Sequence, residues 1–485
     1  MHRLILAAAS LLAIMLAAPC AAQSTFYVAP TGADVPANGG SANPWATIEY
    51  ALEQVTDAST ILVRPGTYSG RIRVRGIFAQ GVTVRSEVPY RAQLRHNATV
   101  LTVFNDAANI EGITFEGFDI AHSGAGAGGL VVQIQDGFAT ETRRITLRNN
   151  ILHDSYNNDV LKINNGASQI RVVGNLFYNQ FGSDEHIDIN SVDDVLVEEN
   201  VFFNDFAASG RSNPNDTASF VVIKDSNGND DEYLGARNVI VRRNVFANWQ
   251  GSIGSNFLLL GEDGTANVEA FAISVENNLF LGNSPNTMRA AFGCKGCADV
   301  VFRANTIVGD LPANAYAMRI NREGANPVPS NLRFAGNVWA DTTGSMSDFS
   351  DTLPGDATQI VLQRNGYWNA GNSLPNDPGD VVNIGNDATA VSGNPALPSP
   401  ATLTTPWWNA NSGSFGGGYA TIRAAFIGLV EAFGRPAAGG AGVDAATAAD
   451  MPATDILGNP RDATPDLGAV ERGNPDVQFA DGFES

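Results

Sequence analysis

The 485-residue chain predicts an all-β fold, a right-handed parallel β-helix with an N-terminal capping helix and an irregular C-terminal packing region. Three observations point there. A short β-rich run ending in Asn and apolar residues is written seven times, as ITLRNNIL, IRVVGNLF, VLVEENVF, VIVRRNVF, ISVENNLF, VVFRANTI and LRFAGNVW. Its asparagines are Asn150, Asn175, Asn200, Asn244, Asn278, Asn305 and Asn337, at two intervals of 25 residues and then 44, 34, 27 and 32. The Val, Ile, Leu and Phe content of each run favours strand over helix. Units this short bury their apolar faces only by stacking coil on coil, with insertions emerging as loops. The recurrent Asn suits a tight corner, where its amide bonds backbone, tolerates left-handed φ and ladders between coils.

The elements follow in order. Residues 1–22, with one Arg, an apolar run and a small-residue end, form a secretory signal cut near Ala22 or Gln23, so the mature chain is expected to be secreted. Ala-Ala-Pro before Cys20 is a poor context for lipid attachment, and no other apolar stretch is long enough to span a bilayer. Residues 24–70 are the entry and cap: PWATIEYALEQV places Ile48, Ala51, Leu52 and Val55 at helical spacing, over the open end that stacked repeats must cover. Residues 71–345 are the β-helix, with the chemistry-bearing coils at 150–230. In residues 346–472 the period fades into Pro, Gly, Asn and Asp. Trp368, Trp407, Trp408 and the amphipathic run TIRAAFIGLVEAFG mark that region as packed on the solenoid. Residues 473–485 form a tail.

Cys294 and Cys297 in GCKGC make a disulfide ring or two free thiols, since no second Cys pair completes a zinc site. Fifty acidic against 29 basic residues give a net charge of −21, which excludes nucleic acid as a partner. An acidic substrate would need local Arg, Lys or a bound cation. The chain is expected to act as a monomer.

Asp159 lies nine residues after Asn150 and Asp184 nine after Asn175, so equal spacing stacks them at the ~4.8 Å strand separation. Glu185 and Asp188 follow in the same rung, and a bend near Glu185 would bring in a third oxygen ligand. Carboxylates gathered this way repel one another unless a cation sits among them. Oxygen ligands favour Ca²⁺, and His186 alone argues against zinc. A solvated acidic edge without metal is the competing reading. The segments LKIN, IDIN and IKDS bring Lys162, Asp188 and Lys224 near one column. A lysine in an apolar strand beside a cation has its ammonium disfavoured and becomes a base. A lysine paired with Asp225 or Asp188 for structure alone is the alternative.

The series Asn-Asp-Val-Leu-Lys at 158–162, Ser-Asp-Glu-His-Ile-Asp at 183–188 and Val-Ile-Lys at 222–224 resembles the calcium-dependent polysaccharide lyases of family 9. The resemblance implies that Asp159, Asp184, Glu185 and Asp188 bind calcium and that Lys224 abstracts a proton. The implied reaction is β-elimination on a uronate polymer, with an acidic polysaccharide as partner. His186 and Lys162 are candidates to protonate the leaving oxygen, and Arg289, Arg319 and Arg322 to hold further uronate carboxylates. Two other functions compete: a glycoside hydrolase using Asp184 with Asp188, or Asp193 with Asp194, and a carbohydrate-binding adhesin in which calcium is structural.

Overall fold

The computed structural model describes residues 24–137, 139–225 and 233–473. The expected secretory signal, with Cys20, lies outside them, as does all but the first residue of the tail. Successive coils contribute strands to three parallel sheets of 12, 12 and 10 strands, which wind as the right-handed parallel β-helix that the sequence predicts. One coil runs through Thr142–Arg148 in the first sheet, Ile151–His153 in the second and Leu161–Asn164 in the third. The next stacks Ser168–Val173, Leu176–Tyr178 and Glu185–Asn190 upon them, all parallel. Inward residues repeat from coil to coil. Phe177, Phe202, Phe246 and Phe280 stack at centroid separations of 5.0, 4.9 and 4.7 Å. Such aromatic stacking strengthens the core beyond the area it buries.

The corner asparagines form a continuous ladder between the first and second sheets. Each backbone N–H donates to the Oδ1 of the equivalent Asn one coil on, at 2.9 Å for Asn150 to Asn175, 2.8 Å for Asn175 to Asn200 and 3.0 Å for Asn200 to Asn244. The pattern continues to Asn365 and ends on the Asp387 carboxylate, which accepts from the Asn365 N–H at 3.0 Å. Two expectations are corrected. Asn365, in IVLQRNGYW, is an eighth rung, and Thr358–Gln363 with Gly366–Asn369 carry the sheets past residue 345. The left-handed residue is also not the ladder Asn but the one before it, such as Asn149 (φ 55°), Glu199 (φ 56°) and Arg243 (φ 54°). The amide must point along the stack, so the chain turns the corner one residue earlier.

Helix Ile48–Gln54, N-capped by the Thr47 hydroxyl, packs its buried Ile48, Ala51 and Leu52 on the first strands. No helix of the described residues is long and apolar enough to cross a membrane. The three outer faces differ. Ion pairs between coils cross the first sheet, including Arg148–Glu116 at 2.8 Å and Arg242–Glu198 at 2.7 Å. The second sheet presents Leu176, Tyr178, Val201, Phe203, Val245 and Leu279 outward, and the C-terminal region covers them with Trp408, Ile422, Phe426, Leu429, Ile456 and Leu467. Within that cover, Ile422–Leu429 is α-helical and Val430–Gly434 widens into a π turn. Bonds tie the cover to widely separated coils: Arg91 Nη1 donates to Ala410 O (2.6 Å), Arg461 Nη2 to Asn277 Oδ1 (2.9 Å) and Ala469 N to Thr306 Oγ1 (2.9 Å). The third sheet carries Lys162, Asp188 and Lys224.

On the second sheet, His153 is held between Asp119 and Asp154, each at 2.8 Å, with Arg95 sharing Asp119 Oδ1 and Arg211 on the other oxygen of Asp154. Burial opposes charge on the ring, but the two carboxylates outweigh it and hold the His153 pKa above its ordinary value. A group with a raised folded pKa stabilises fully below its unfolded pKa, ~6.5, and loses that contribution as pH rises through the folded value. His153→Gln is therefore expected to lose the wild type's fall in melting temperature above pH ~6.5. Parallel melting curves for the two proteins across that range would contradict this assignment.

Candidate functional site

A column on the outer face of the third sheet, read from strand registers, runs Arg73, Thr102, Gln133, Lys162, Asp188, Val222, Leu259, Gly293, Arg319, Asp351. Lys162 thus sits one rung from Asp188, their side chains joined at 2.6 Å. Lys224 pairs in register with Asn190, two residues along the same strand face from Asp188, and its Nζ lies 4.0 Å from Asp188 Oδ2.

Asp159, Glu185 and Asp188 bring carboxylate oxygens within 4.8 Å of one another, and all three are almost fully buried. Asp184 is not the residue stacked on Asp159. The third-sheet register advances by 26 residues, Leu161 opposite Ile187, because the turn before Glu185 holds one residue more than its counterpart. The extra residue is accommodated where Gly182 (φ 109°) and Ser183 (φ 63°) are left-handed, and a Cβ on Gly182 would meet Asn157 O at 1.6 Å. Glu185 therefore takes the place over Asp159, its N–H donating to Asp159 Oδ1 at 3.0 Å. Alternation breaks at the start of this strand, where His186 and Ile187 both enter the core.

His186 consequently does not face the carboxylates. It stacks on Phe220 at 4.3 Å and bonds Asn204 Oδ1 at 2.9 Å, and burial pushes its pKa down to about 3. That removes it as a proton donor. Arg322 turns away as well, its Nε donating to Asn326 O at 2.7 Å. Asp193 and Asp194, the alternative acid–base pair, belong to the first sheet and bond Asn238 (2.7 Å) and Arg171 (2.9 Å). Arg289 and Arg319 do reach the third-sheet face, where both pair with Asp351.

The electrostatics are those of crowded carboxylates. Burial, then Asp188, raises Asp159 to about 7, and burial, then Asp159, raises Glu185 well above the carboxylate range. Asp184, half-buried beside the group, rises to about 6 chiefly through burial. The sequence argument expects a depressed Lys224. In this structure burial does pull its pKa down, but Asp188, Glu185 and Glu262 outweigh it and hold the ammonium charged. The closest partner is Glu262, at 2.5 Å, with Asp263 at 4.0 Å, rather than Asp225. Sequence reasoning missed these two acids. They sit in the turn GEDG, whose three N–H groups at Glu262, Asp263 and Gly264 donate to the buried Glu269 carboxylate at 2.9, 3.1 and 2.7 Å.

The donor set fits a hard divalent cation: three buried carboxylates converge, and Asn190 Oδ1 on the same strand is buried without a hydrogen-bond partner. Cys294 and Cys297 are joined as a disulfide and take no part in that set.

No family model matches the chain, and no curated protein matches it. Among solved structures, the chain is similar to pectate lyase Pel9A, at 15% identity and a TM-score of 0.51, over 93% of this chain and 96% of that one. It is also similar to XylC, solved in complex with xylose, at 11% identity and a TM-score of 0.51, over 92% and 98% of the two chains. At these identities the likeness shows the fold, a right-handed parallel β-helix like that of pectate lyase Pel9A.

Proposed function

We propose that the protein is a secreted, calcium-dependent polysaccharide lyase that cleaves a uronate-containing polymer by β-elimination. The observation that carries this reading is the convergence of the buried Asp159, Glu185 and Asp188 carboxylates at the third sheet, with Lys224 4.0 Å from Asp188. Asp159, Glu185 and Asp188 would hold the calcium, whose positive charge would offset theirs and make the C5 proton of a uronate more acidic. With a cation among them, Glu185 and Asp188 would hold the Lys224 ammonium less strongly, leaving Glu262 as its bonded carboxylate and burial to favour the free amine. Lys224 Nζ takes the C5 proton, the electron pair left behind forms the C4=C5 bond, and the C4–O bond breaks toward the leaving oxygen. Lys162, on the same face, or water returns a proton to that oxygen.

The test is a screen of purified mature protein against uronate polysaccharides, followed by near-ultraviolet absorbance of the new C=C bond. Absorbance should rise with calcium and stop with chelator. New reducing ends without absorbance would make it a hydrolase, and inertness on every polymer a binding protein. Calcium should also raise the melting temperature by binding the folded state, and Asp188→Ala should abolish the gain. An unchanged calcium response in that variant would place the cation elsewhere.

A further inference from the structure

Beyond the carboxylates, the same column descends into a cleft of about 250 Å³ over Gly293, walled by Asn256, Arg289, Lys295, Arg319 and Asn321. Gly293 makes the room, since a Cβ there would come within 2.8 Å of both Asn256 Oδ1 and Leu259 Cδ1. Arg289 and Arg319 converge on one carboxylate, that of Asp351. Arg289 also keeps a buried Nε with no hydrogen-bond partner. Lys295 is presented by the two-residue loop that the Cys294–Cys297 bridge closes, 3.6 Å from Glu323. On a chain of net charge −21, three cations against two carboxylates make this a locally positive hollow already shaped around a carboxylate. Its volume is below the ~300–1,000 Å³ of drug-sized pockets, which suits one sugar unit.

We infer that this cleft is a second, distal subsite that binds the carboxylate of a uronate unit in the same polymer chain. The inference rests on the reading of the carboxylate cluster as the cleavage site. Asp188 and Arg319 are four rungs apart, about 19 Å at ~4.8 Å per strand. A polymer laid along the helix axis would therefore reach the cleft about 19 Å from the cleaved bond, a few sugar units on. The enzyme therefore senses chain length: short oligomers use the cluster alone, and longer ones gain the cleft.

The experiment measures calorimetric binding of uronate dimers and hexamers to the Lys224→Ala protein with calcium, using galacturonate, mannuronate, guluronate and glucuronate-containing oligomers. Hexamer affinity should exceed dimer affinity, and adding Arg319→Gln should lower hexamer affinity about tenfold while leaving the dimer unchanged. Gly293→Ala, which keeps every charge and meets only side-chain tips, should act in the same direction by filling the floor. A hexamer indifferent to both changes, equal losses for dimer and hexamer, or no binding of any oligomer would overturn the subsite. The two readings fail separately. Calcium-dependent elimination with Arg319→Gln silent removes the subsite alone. Length-dependent loss in Arg319→Gln without elimination on any polymer keeps the anion-binding cleft and removes the lyase.

Discussion

Lys224→Ala is expected to lower turnover on the uronate polymer by about 10²–10⁴-fold, the usual contribution of a positioned base, with folding and calcium binding retained. Retention follows because Asp159, just before one strand, and Glu185 and Asp188, on the next, converge without a contact from Lys224. Lys224→Arg should be nearly as inactive, since a guanidinium stays protonated beside any carboxylate. The comparison with Lys162→Ala is decisive. Lys162 bonds Asp188 directly at 2.6 Å, whereas Lys224 is bonded to Glu262 and lies 4.0 Å from Asp188. If Lys162→Ala is dead and Lys224→Ala active, the proton goes to Lys162 and the roles are exchanged. The kinetic signature expected of Lys224→Ala is a fall in kcat with little change in KM, because the lost contact matters only as the proton moves.

Asn244→Ala should be the most damaging change to the fold at a position remote from the chemistry. Asn244 Oδ1 accepts from the Asn200 N–H and from Asn200 Nδ2, both at 3.0 Å, while its own Nδ2 donates to Val197 O at 3.0 Å and Asn278 Oδ1 at 3.0 Å. The residue is fully buried, so water cannot replace these partners. With each stranded buried group costing ~1–3 kcal/mol, the loss should reach about 3–5 kcal/mol in denaturant unfolding. A loss below ~1 kcal/mol would mean that the ladder's members are individually dispensable.

Why the fold was legible and the site only partly so has a physical basis. A corner that spends its amide on the next coil requires Asn at every turn, and that demand is written in plain text from Asn150 to Asn337. Asn365 carries the same signal. Strand register within a coil leaves no such mark. Asn150 and Asn175 are 25 apart, yet one extra residue around Gly182 shifts the third sheet to 26 and puts Glu185, not Asp184, over Asp159. The same limit hid which way His186 points, since alternation from Ile187 does not announce the break before it. Glu262, Asp263 and Lys295 come from coils of irregular length, where no period links them to Lys224 or Arg319. The charge state expected for Lys224 also had the wrong sign in the absence of a cation: sequence shows an apolar strand, but not the glutamate that a later turn delivers to its tip.

The cover over the second sheet changes what kind of object the solenoid is. Stacked coils that touch only their neighbours unfold piecemeal, fraying from either end, with stability summed rung by rung. Here one late segment grips coils from Arg91 to Thr306, with its own anchors at Ala410, Arg461 and Ala469. A coil in the middle cannot open without disturbing a segment that also holds distant coils, so nearest-neighbour arithmetic no longer applies. The chain should lose its structure in one cooperative transition, and local damage to any coil under the cover becomes a cost shared along the whole length of the rod.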